Sequence, residues 1–487
     1  MRAPRKRQAR QARPAALCAR LGGHVTLEAR AGGEIFACFH GYAVGLGTFS
    51  PSAARRAQDL RTGLPLASFV PGRRESDREI DVLVRRLARR GLLEYVLRRG
   101  NDTDLAVVEP QVADYWPRTA PLGRNDTVAL SRFAYMRRRG NELVLESPRS
   151  GGLLRICDPG IAAVLATLST PQKIKKLRQQ SGFPGAEFLA LLLDCRILFK
   201  LDAATDQNLR SAEGGDDLAL WDFHDLLFHA RSTEGRHANP LGGSYPNAGI
   251  IAPLPAIRPR WPGQKIDLRE IAAAPALEAS QVTKLLRQRH STRRFDDKRP
   301  ITLAELAQFL DGSARVLSQA TTAADASEGI PAMTYTMRPY PSAGASYELE
   351  LYLAIKVCEG LAPGFYHYDA GEHALTLIDV PGNALAALLT GAQYAMGAEE
   401  TPPLVMTIAA RFGRVSWKYS ALAYSLILKD AGALLQTFYL LATAMGLGGC
   451  AIGIANIDLF AKMTGIDFCV EGPLAQFALG RGAESGS

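Results

Sequence analysis

Three observations predict an α+β fold for this chain. In the second half, helical and strand-like segments alternate without a regular βαβ repeat. In the first half, two segments read alike, each an amphipathic helix that stops abruptly before a β-rich run. Between them lies a stretch rich in Gly, Pro, Asn and aromatic residues. These observations divide the chain into residues 1–110, 111–215, 216–279 and 280–487.

The first division opens on a basic arm (Arg2, Arg5, Lys6, Arg7, Arg10, Arg13) that contains no acidic residue, a composition typical of a solvated tail. Strand-like pieces follow in "HVTLEAR" and "EIFACFH". A helix in "EIDVLVRRLARRGLLEYVLRR" sets Ile80, Leu83, Val84 and Leu87 on one face, and Gly91 ends it. The second division repeats the scheme. "NELVLESPRSGGLLRIC" and "PGIAAVLATLS" precede a helix with Phe188, Leu191 and Leu192, which runs into "CRILFKLD". A helix closed by a strand hairpin describes a winged-helix unit, so two degenerate winged-helix-like copies are expected. The connector keeps Trp221, Phe223, Phe228, Tyr245 and Trp261, too many aromatics for a floppy linker. His224 and His229 lie five apart on different helix faces, which favours packing roles over a metal pair; no metal site is expected.

Composition narrows the function classes. Hydrophobic residues make up 47% of the 487 positions and charged residues 22%, ordinary values for a globular protein. The seven cysteines are scattered without a Cys-x-x-Cys spacing, which fits neither a disulfide framework nor a zinc site and is consistent with a reducing cytoplasm. "PAALCARLGG" is too short and polar for a signal core. The nearly uncharged run after Tyr419 is broken by Ser425, Lys429, Asp430 and Gln436, so it reads as a buried helix, not a membrane span.

In the last division, "ITLAELAQFLDGSARVL" is a helix with Thr302 and Glu305 placed as a capping box. "YELELYLAIKVC" and "LVMTIAARF" are buried strands, and "GFYHYDAGEHALTLIDV" is a hairpin around Asp-Ala-Gly-Glu. A long helix runs from about Ser420 to Met445 and closes on Gly446. "GLGGCAIG" has a G-x-G-x-x-A spacing, but it follows a helix where a dinucleotide fingerprint must follow a strand, so a Rossmann NAD site is set aside.

Three short pieces carry chemistry. "RQRHSTRRF" crowds Arg289, His290, Ser291 and Arg293 into one turn, a density of cationic and hydroxyl donors that suits a phosphate. "RPYPSAGASYELELYL" puts Pro341, Ser342 and Gly344 in a small-residue loop through which backbone can approach a flat ring. "FALGRGA" adds Arg481.

Together with "GFYHYD" and "AGALLQTFYLLATAMGLGGCAIG", these pieces resemble, in order, the flavin-dependent nitroreductase superfamily. Within it they are similar to the SagB-type or McbC-like azoline dehydrogenases that build thiazoles and oxazoles in ribosomally made peptides. The resemblance spans roughly Ser280 to Arg481, and the connector and front half resemble longer members such as the cyanobactin oxidases. It implies a nitroreductase-like domain with a mixed central sheet and FMN shared between the subunits of a homodimer. Arg289, Ser291, Arg293 and Arg481, with His290 in the same motif, would hold the ribityl phosphate. Ser342 and Gly344, next to Pro341, would face the ring edge, with Ile452 and Gly453 on its other side; Gln436 falls near a position where this branch often has Asn. A precursor peptide is the implied substrate and a cyclodehydratase the implied partner.

Lys418 and Tyr419 bear on the chemistry. Oxidising an azoline removes a proton from one ring carbon and a hydride from its neighbour, and the flavin takes only the hydride. A phenol, with a reference pKa of about 10, needs help to act as the base near neutrality. An adjacent ammonium in a partly desolvated pocket stabilises the phenolate. The resemblance places a catalytic Lys-Tyr pair here, whereas nitroreductases proper need none. Two alternatives stay open: an NAD(P)H-dependent nitro- or flavin reductase, and a winged-helix DNA-binding redox regulator. Nucleic acid and membrane are not expected partners.

Overall fold

The computed structural model describes residues 15–39, 41–66, 75–99, 103–118, 122–179, 185–201, 216–233, 280–324, 332–419 and 422–483, with a few isolated residues besides. The basic arm, Tyr245 and Trp261 lie outside the described residues. Two compact units are present, residues 1–238 and 239–487.

The first unit is sheet-rich. Strands β1 (Ala15–Leu21), β5 (Leu64–Pro65), β6 (Leu93–Arg99), β7 (Thr103–Pro110), β9 (Tyr135–Arg139), β10 (Glu142–Glu146) and β11 (Gly152–Ile156) join in the order β5-β1-β6-β7-β11-β10-β9. One seven-stranded sheet thus draws on both similar segments, and the boundary expected near residue 110 falls between the paired strands β7 and β11. Strands β2 (Thr26–Ala29), β3 (Glu34–Phe39) and β4 (Tyr42–Thr48) form a second sheet, and β8 (Thr127–Leu130), β12 (Gln172–Lys173) and β13 (Leu198–Leu201) a third. The predicted helix is α2 (Glu75–Ala88), which follows α1 (Pro51–Ala57). Its Ile80, Leu83, Val84 and Leu87 are fully buried, and Gly91 takes φ +64° just beyond it, a left-handed turn that a side chain would resist. The helices α3 (Gly160–Thr167), α4 (Ile174–Leu177), α5 (Ala186–Asp194), α6 (Asp216–Ala219) and α7 (Phe223–Ser232) follow among the described residues of the unit. In α7, His229 is buried and stacks on Trp221 with ring centroids 5.6 Å apart, the packing role its spacing suggested.

The second unit is built on a six-stranded sheet of order β18-β17-β16-β19-β21-β20. Its strands are β16 (Leu349–Ile355), β17 (Gly364–Asp369), β18 (Ala374–Ile378), β19 (Leu404–Arg411), β20 (Gly448–Ile452) and β21 (Glu471–Gly480). A mixed sheet was expected. Every pair in it is antiparallel, because β16, β17 and β18 succeed one another as short hairpins and each later strand is also laid against a neighbour running the opposite way. In the β17–β18 turn, Asp369 Oδ1 accepts from the backbone N–H groups of Gly371 and Glu372. A separate hairpin pairs β14 (Ser318–Thr322) with β15 (Met333–Met337).

Helices cover both faces of this sheet. On one side, α10 (Gly382–Met396) and α13 (Ile457–Thr464) bury Leu388, Leu389, Phe460 and Met463 against Tyr352, Val405 and Ala478. On the other, α12 (Ala423–Ala444) inserts Phe438 between Phe477 of β21 and Phe309 of α9 (Leu303–Ala314), each ring centroid 5.3 Å away. Burying each such ring stabilises the unit by roughly 2–3 kcal/mol. The capping box at α9 forms as predicted, with Glu305 N donating to Thr302 Oγ1 and Thr302 N to Glu305 Oε2. The short helices α8 (Gln281–Gln288) and α11 (Gly413–Ser416) position the site described next. Among the described residues, no helix is long and apolar enough to cross a membrane.

Candidate active site

The loop after β15 turns sharply. Ser342 is extended, Gly344 adopts φ +56°, and Ala345 and Tyr347 also carry positive φ, at 54° and 44°. Non-glycine residues resist that region, so something must hold the turn. Asp430 of α12 does so from below: its Oδ2 accepts from Ala343 N at 2.8 Å and from Ser342 Oγ at 2.9 Å. Ser342 Oγ in turn accepts from Tyr347 N at 2.9 Å. Arg414 of α11 reaches across and donates from Nε and NH2 to Ser346 O at 3.2 and 3.0 Å.

Lys418 and Tyr419 lie one turn past α11, both backbone N–H groups donating to Val415 O, and so occupy the link between α11 and α12. The two side chains meet at the loop. Lys418 Nζ donates to Gly344 O at 3.3 Å and sits 5.4 Å from the ring centroids of both Tyr335 and Tyr419. A Cβ at Gly344 would overlap the Tyr419 hydroxyl and lie 2.8 Å from Lys418 Nζ, so only glycine lets these groups approach. Ser342, Gly344, Lys418 and Tyr419, predicted separately from distant motifs, are gathered in one place. Pro341 flanks them and is exposed.

A second cluster forms nine residues farther along α12, about 13 Å at the helical rise. Tyr439 OH lies 2.7 Å from Ser291 Oγ and accepts from Ala451 N at 2.9 Å. The Arg289 guanidinium stacks 4.8 Å over the Tyr439 ring and has no carboxylate partner among the described residues. Thr292 N donates to Gly449 O at 2.8 Å, and the Thr292 side chain fills the space that a Cβ on Gly448 would need. Gly448 and Gly449 are therefore packing glycines, against Thr292 and Phe477, whereas Gly446 serves the left-handed turn that ends α12, at φ +68°.

Other predicted residues have partners of their own. Arg293 Nε donates to Met396 O at 3.0 Å, at the end of α10. Arg481 NH2 donates to both Glu305 oxygens, at 2.8 and 3.0 Å, and its Nε to Arg299 O. The Thr302 backbone N–H first, and Arg481 next, hold the Glu305 carboxyl below the usual carboxylate range. His290 is exposed, its Nδ1 3.1 Å from Gln288 O. Gln436 and Gly453 are exposed, and Ile452 is buried in the core beneath α10 and α13.

Sequence reasoning missed Tyr439, Tyr335, Asp430 and Glu348 as site residues. Glu348, just before β16, is fully buried with Ser342 Oγ 3.3 Å from its Oε2. Burial, the largest influence, and the facing Asp430 charge push its carboxyl up to about 7. The available signal was at Asp430, which stands with Lys429 in an otherwise uncharged run; Glu348, two residues before Glu350, gave none. The donor set fits the phosphate of a flavin mononucleotide: the Arg289 cation, without a carboxylate partner among the described residues, stands with the Ser291 hydroxyl on Tyr439.

A model of the nitroreductase family matches residues 286–481, and a model of the cyanobactin oxidase ThcOx matches residues 128–238. A nitroreductase-type protein of Methanocaldococcus jannaschii is 27% identical over 181 residues, 37% of this chain and 81% of that one. Among solved structures, the Escherichia coli microcin synthetase McbBCD complex with truncated pro-MccB17 aligns with 18% identity and a TM-score of 0.39, covering 58% of this chain and 100% of that chain. A nitroreductase-type protein from Exiguobacterium sibiricum in complex with FMN aligns with 16% identity and a TM-score of 0.28, covering 43% and 92%.

Proposed function

We propose that this chain, whose residues 286–481 match a model of the nitroreductase family, is an FMN-dependent dehydrogenase that oxidises azoline rings in a ribosomally made precursor peptide. One observation carries the reading: Lys418 and Tyr419 converge on the Gly344 loop, a proton-handling pair that reduction of a nitro group or a flavin does not require. The match of residues 128–238 to a cyanobactin oxidase supports a peptide as the substrate class.

In this reading the FMN, when bound, supplies the acceptor for the hydride, with dioxygen as the oxidant that restores it. Tyr419 takes the proton from the ring carbon beside the peptide carbonyl, and Lys418 stabilises the oxygen that receives it. The ring thereby loses one proton and one hydride and becomes aromatic. Gly344 O fixes Lys418, and the rings of Tyr335 and Tyr419 flank the ammonium. Arg289 and Ser291 would hold the phosphate, with His290 in the same turn, while Arg293 and Arg481 are engaged by Met396 O and Glu305. Ser342 and Gly344 would meet the ring edge, and the exposed Gly453 and Gln436 its far side, with Ile452 packed in the core beneath. Ser425, Lys429, Gly432 and Gln436 form an exposed stripe along α12, which supports a second copy of the chain packing there to complete the site. The edge strand β9 of the first unit is a candidate platform for strand addition by the precursor peptide, with a cyclodehydratase as the partner that supplies its rings.

The test is to incubate the FMN-loaded protein with a cyclodehydrated peptide and weigh the product. The expected result is loss of two hydrogens per ring. Rapid NAD(P)H consumption without peptide, and no mass change with it, would favour a nitro- or flavin reductase.

A further inference from the structure

Asp430 is the one acid between Tyr419 and Leu447, and it is buried on the face of α12 that meets the Ser342–Gly344 loop. Facing it is Glu348, wholly buried just before β16, and the Ser342 hydroxyl lies between the two acids, 2.9 Å from Asp430 Oδ2 and 3.3 Å from Glu348 Oε2. A hydroxyl has one proton to give, so Ser342 can satisfy only one of two ionised carboxylates. The surrounding charges do not offset a second negative charge. From the strand before the loop, Arg338 donates to Leu349 O and stacks on Tyr347. From α11, Arg414 is committed to Ser346 O, and after it Lys418 to Gly344 O. Lys429, next to Asp430 on α12, is exposed. Tyr340, whose phenol feels the Glu348 charge, is itself buried and neutral. No cation forms an ion pair with either acid among the described residues, and Glu348 Oε1 is buried without a hydrogen-bond partner. An ionised Glu348 would leave that oxygen both charged and unsatisfied.

We propose that Glu348 and Asp430 share a single proton and act as a positioning pair, holding the Ser342–Gly344 loop at the distance from Lys418 and Tyr419 that the site requires. The protonated acid supplies the donor that the pair otherwise lacks, leaving Asp430 Oδ2 to accept from Ala343 N and Ser342 Oγ. When the shared proton is lost, two anions face each other in a low-dielectric layer and the loop anchor loosens. The positioning role rests on the reading of Lys418 and Tyr419 given above; the shared proton does not.

The folded carboxyl of Glu348 is raised to about 7, whereas an unfolded Glu titrates near 4.3. Between those values the folded chain keeps a proton that the unfolded chain has released. Stability from this source is full below about pH 4.3 and is lost as pH rises through about 7. The experiment compares wild type with Glu348→Gln, whose amide replaces the acid with a permanent donor. The pH dependence of the denaturation midpoint should be flatter in the variant across that window, by up to one proton. An infrared band of a protonated carboxylic acid at neutral pH should be present in wild type and absent from the variant. Parallel stability curves together with no assignable acid band would overturn the shared proton. For positioning, turnover of the azoline peptide should decline in wild type as pH rises past neutrality, with Glu348→Gln flattening that limb. Identical limbs would overturn the positioning role. If wild type turns over no azoline peptide at all, the functional reading falls, while the infrared and stability comparisons still decide the shared proton.

Discussion

Adding one methyl group at Gly344 separates catalysis from stability. The residue sits at φ +56° and ψ 27°, where a Cβ costs about 1–2 kcal/mol. The new Cβ would overlap the Tyr419 hydroxyl and stand 2.8 Å from Lys418 Nζ, both of them the far ends of flexible side chains. They can swing aside, so the backbone need not break, and Gly344→Ala should lower the unfolding temperature by only a few degrees. Catalysis has no such tolerance: displacing an acid–base group by about 1 Å costs on the order of a hundredfold in rate. The assay measures melting temperature, FMN content and azoline turnover on the same preparation. The expected result is a small thermal shift and a turnover, normalised to the FMN bound, reduced by about two orders of magnitude. Turnover within about threefold of wild type would refute the reasoning, because it would mean that the hydroxyl is not needed where the structure puts it.

Three further outcomes follow from the same contacts. Asp430→Ala removes the acceptor for Ala343 N and Ser342 Oγ and should cost about 1–3 kcal/mol, with faster amide exchange at Ala343 as the local readout. Tyr439→Phe deletes the hydroxyl that links Ser291 to Ala451 N. FMN titration should show affinity weakened by roughly tenfold, with the Lys418–Gly344 contact intact. Glu305 is depressed in the folded state, so its contribution is present above the unfolded value near 4.3 and lost as pH falls below it; Glu305→Gln should flatten that acid limb of the stability curve.

What the sequence revealed, and what it did not, has physical causes. Helix α2, the capping box of α9, the β17–β18 hairpin and the buried strand β19 were legible because periodicity, caps and turn chemistry are local properties. The β14–β15 hairpin was not: β14 is Ser-Gln-Ala-Thr-Thr, fully exposed, and pairs through backbone bonds without an apolar alternation. Nor was the merging of two similar segments into one seven-stranded sheet, since strand order depends on non-local pairing. At the site, Lys418, Tyr419, Ser342 and Gly344 stood out as unusual residues in short motifs. Tyr439 did not, because one more aromatic in an apolar helix looks like core until Ser291 is found beside its hydroxyl. Arg481 shows the converse: its motif suggested a phosphate contact, and the fold seats it on Glu305.

The central claim is that Lys418 and Tyr419 remove the ring proton. Anaerobic rapid mixing of the FMN-loaded protein with an azoline peptide tests it most directly, following the flavin absorbance in wild type, Lys418→Ala and Tyr419→Phe. The account predicts that wild type is reduced by the peptide, while both variants bind FMN and peptide normally and stay oxidised. Flavin reduction at the wild-type rate in either variant would contradict it.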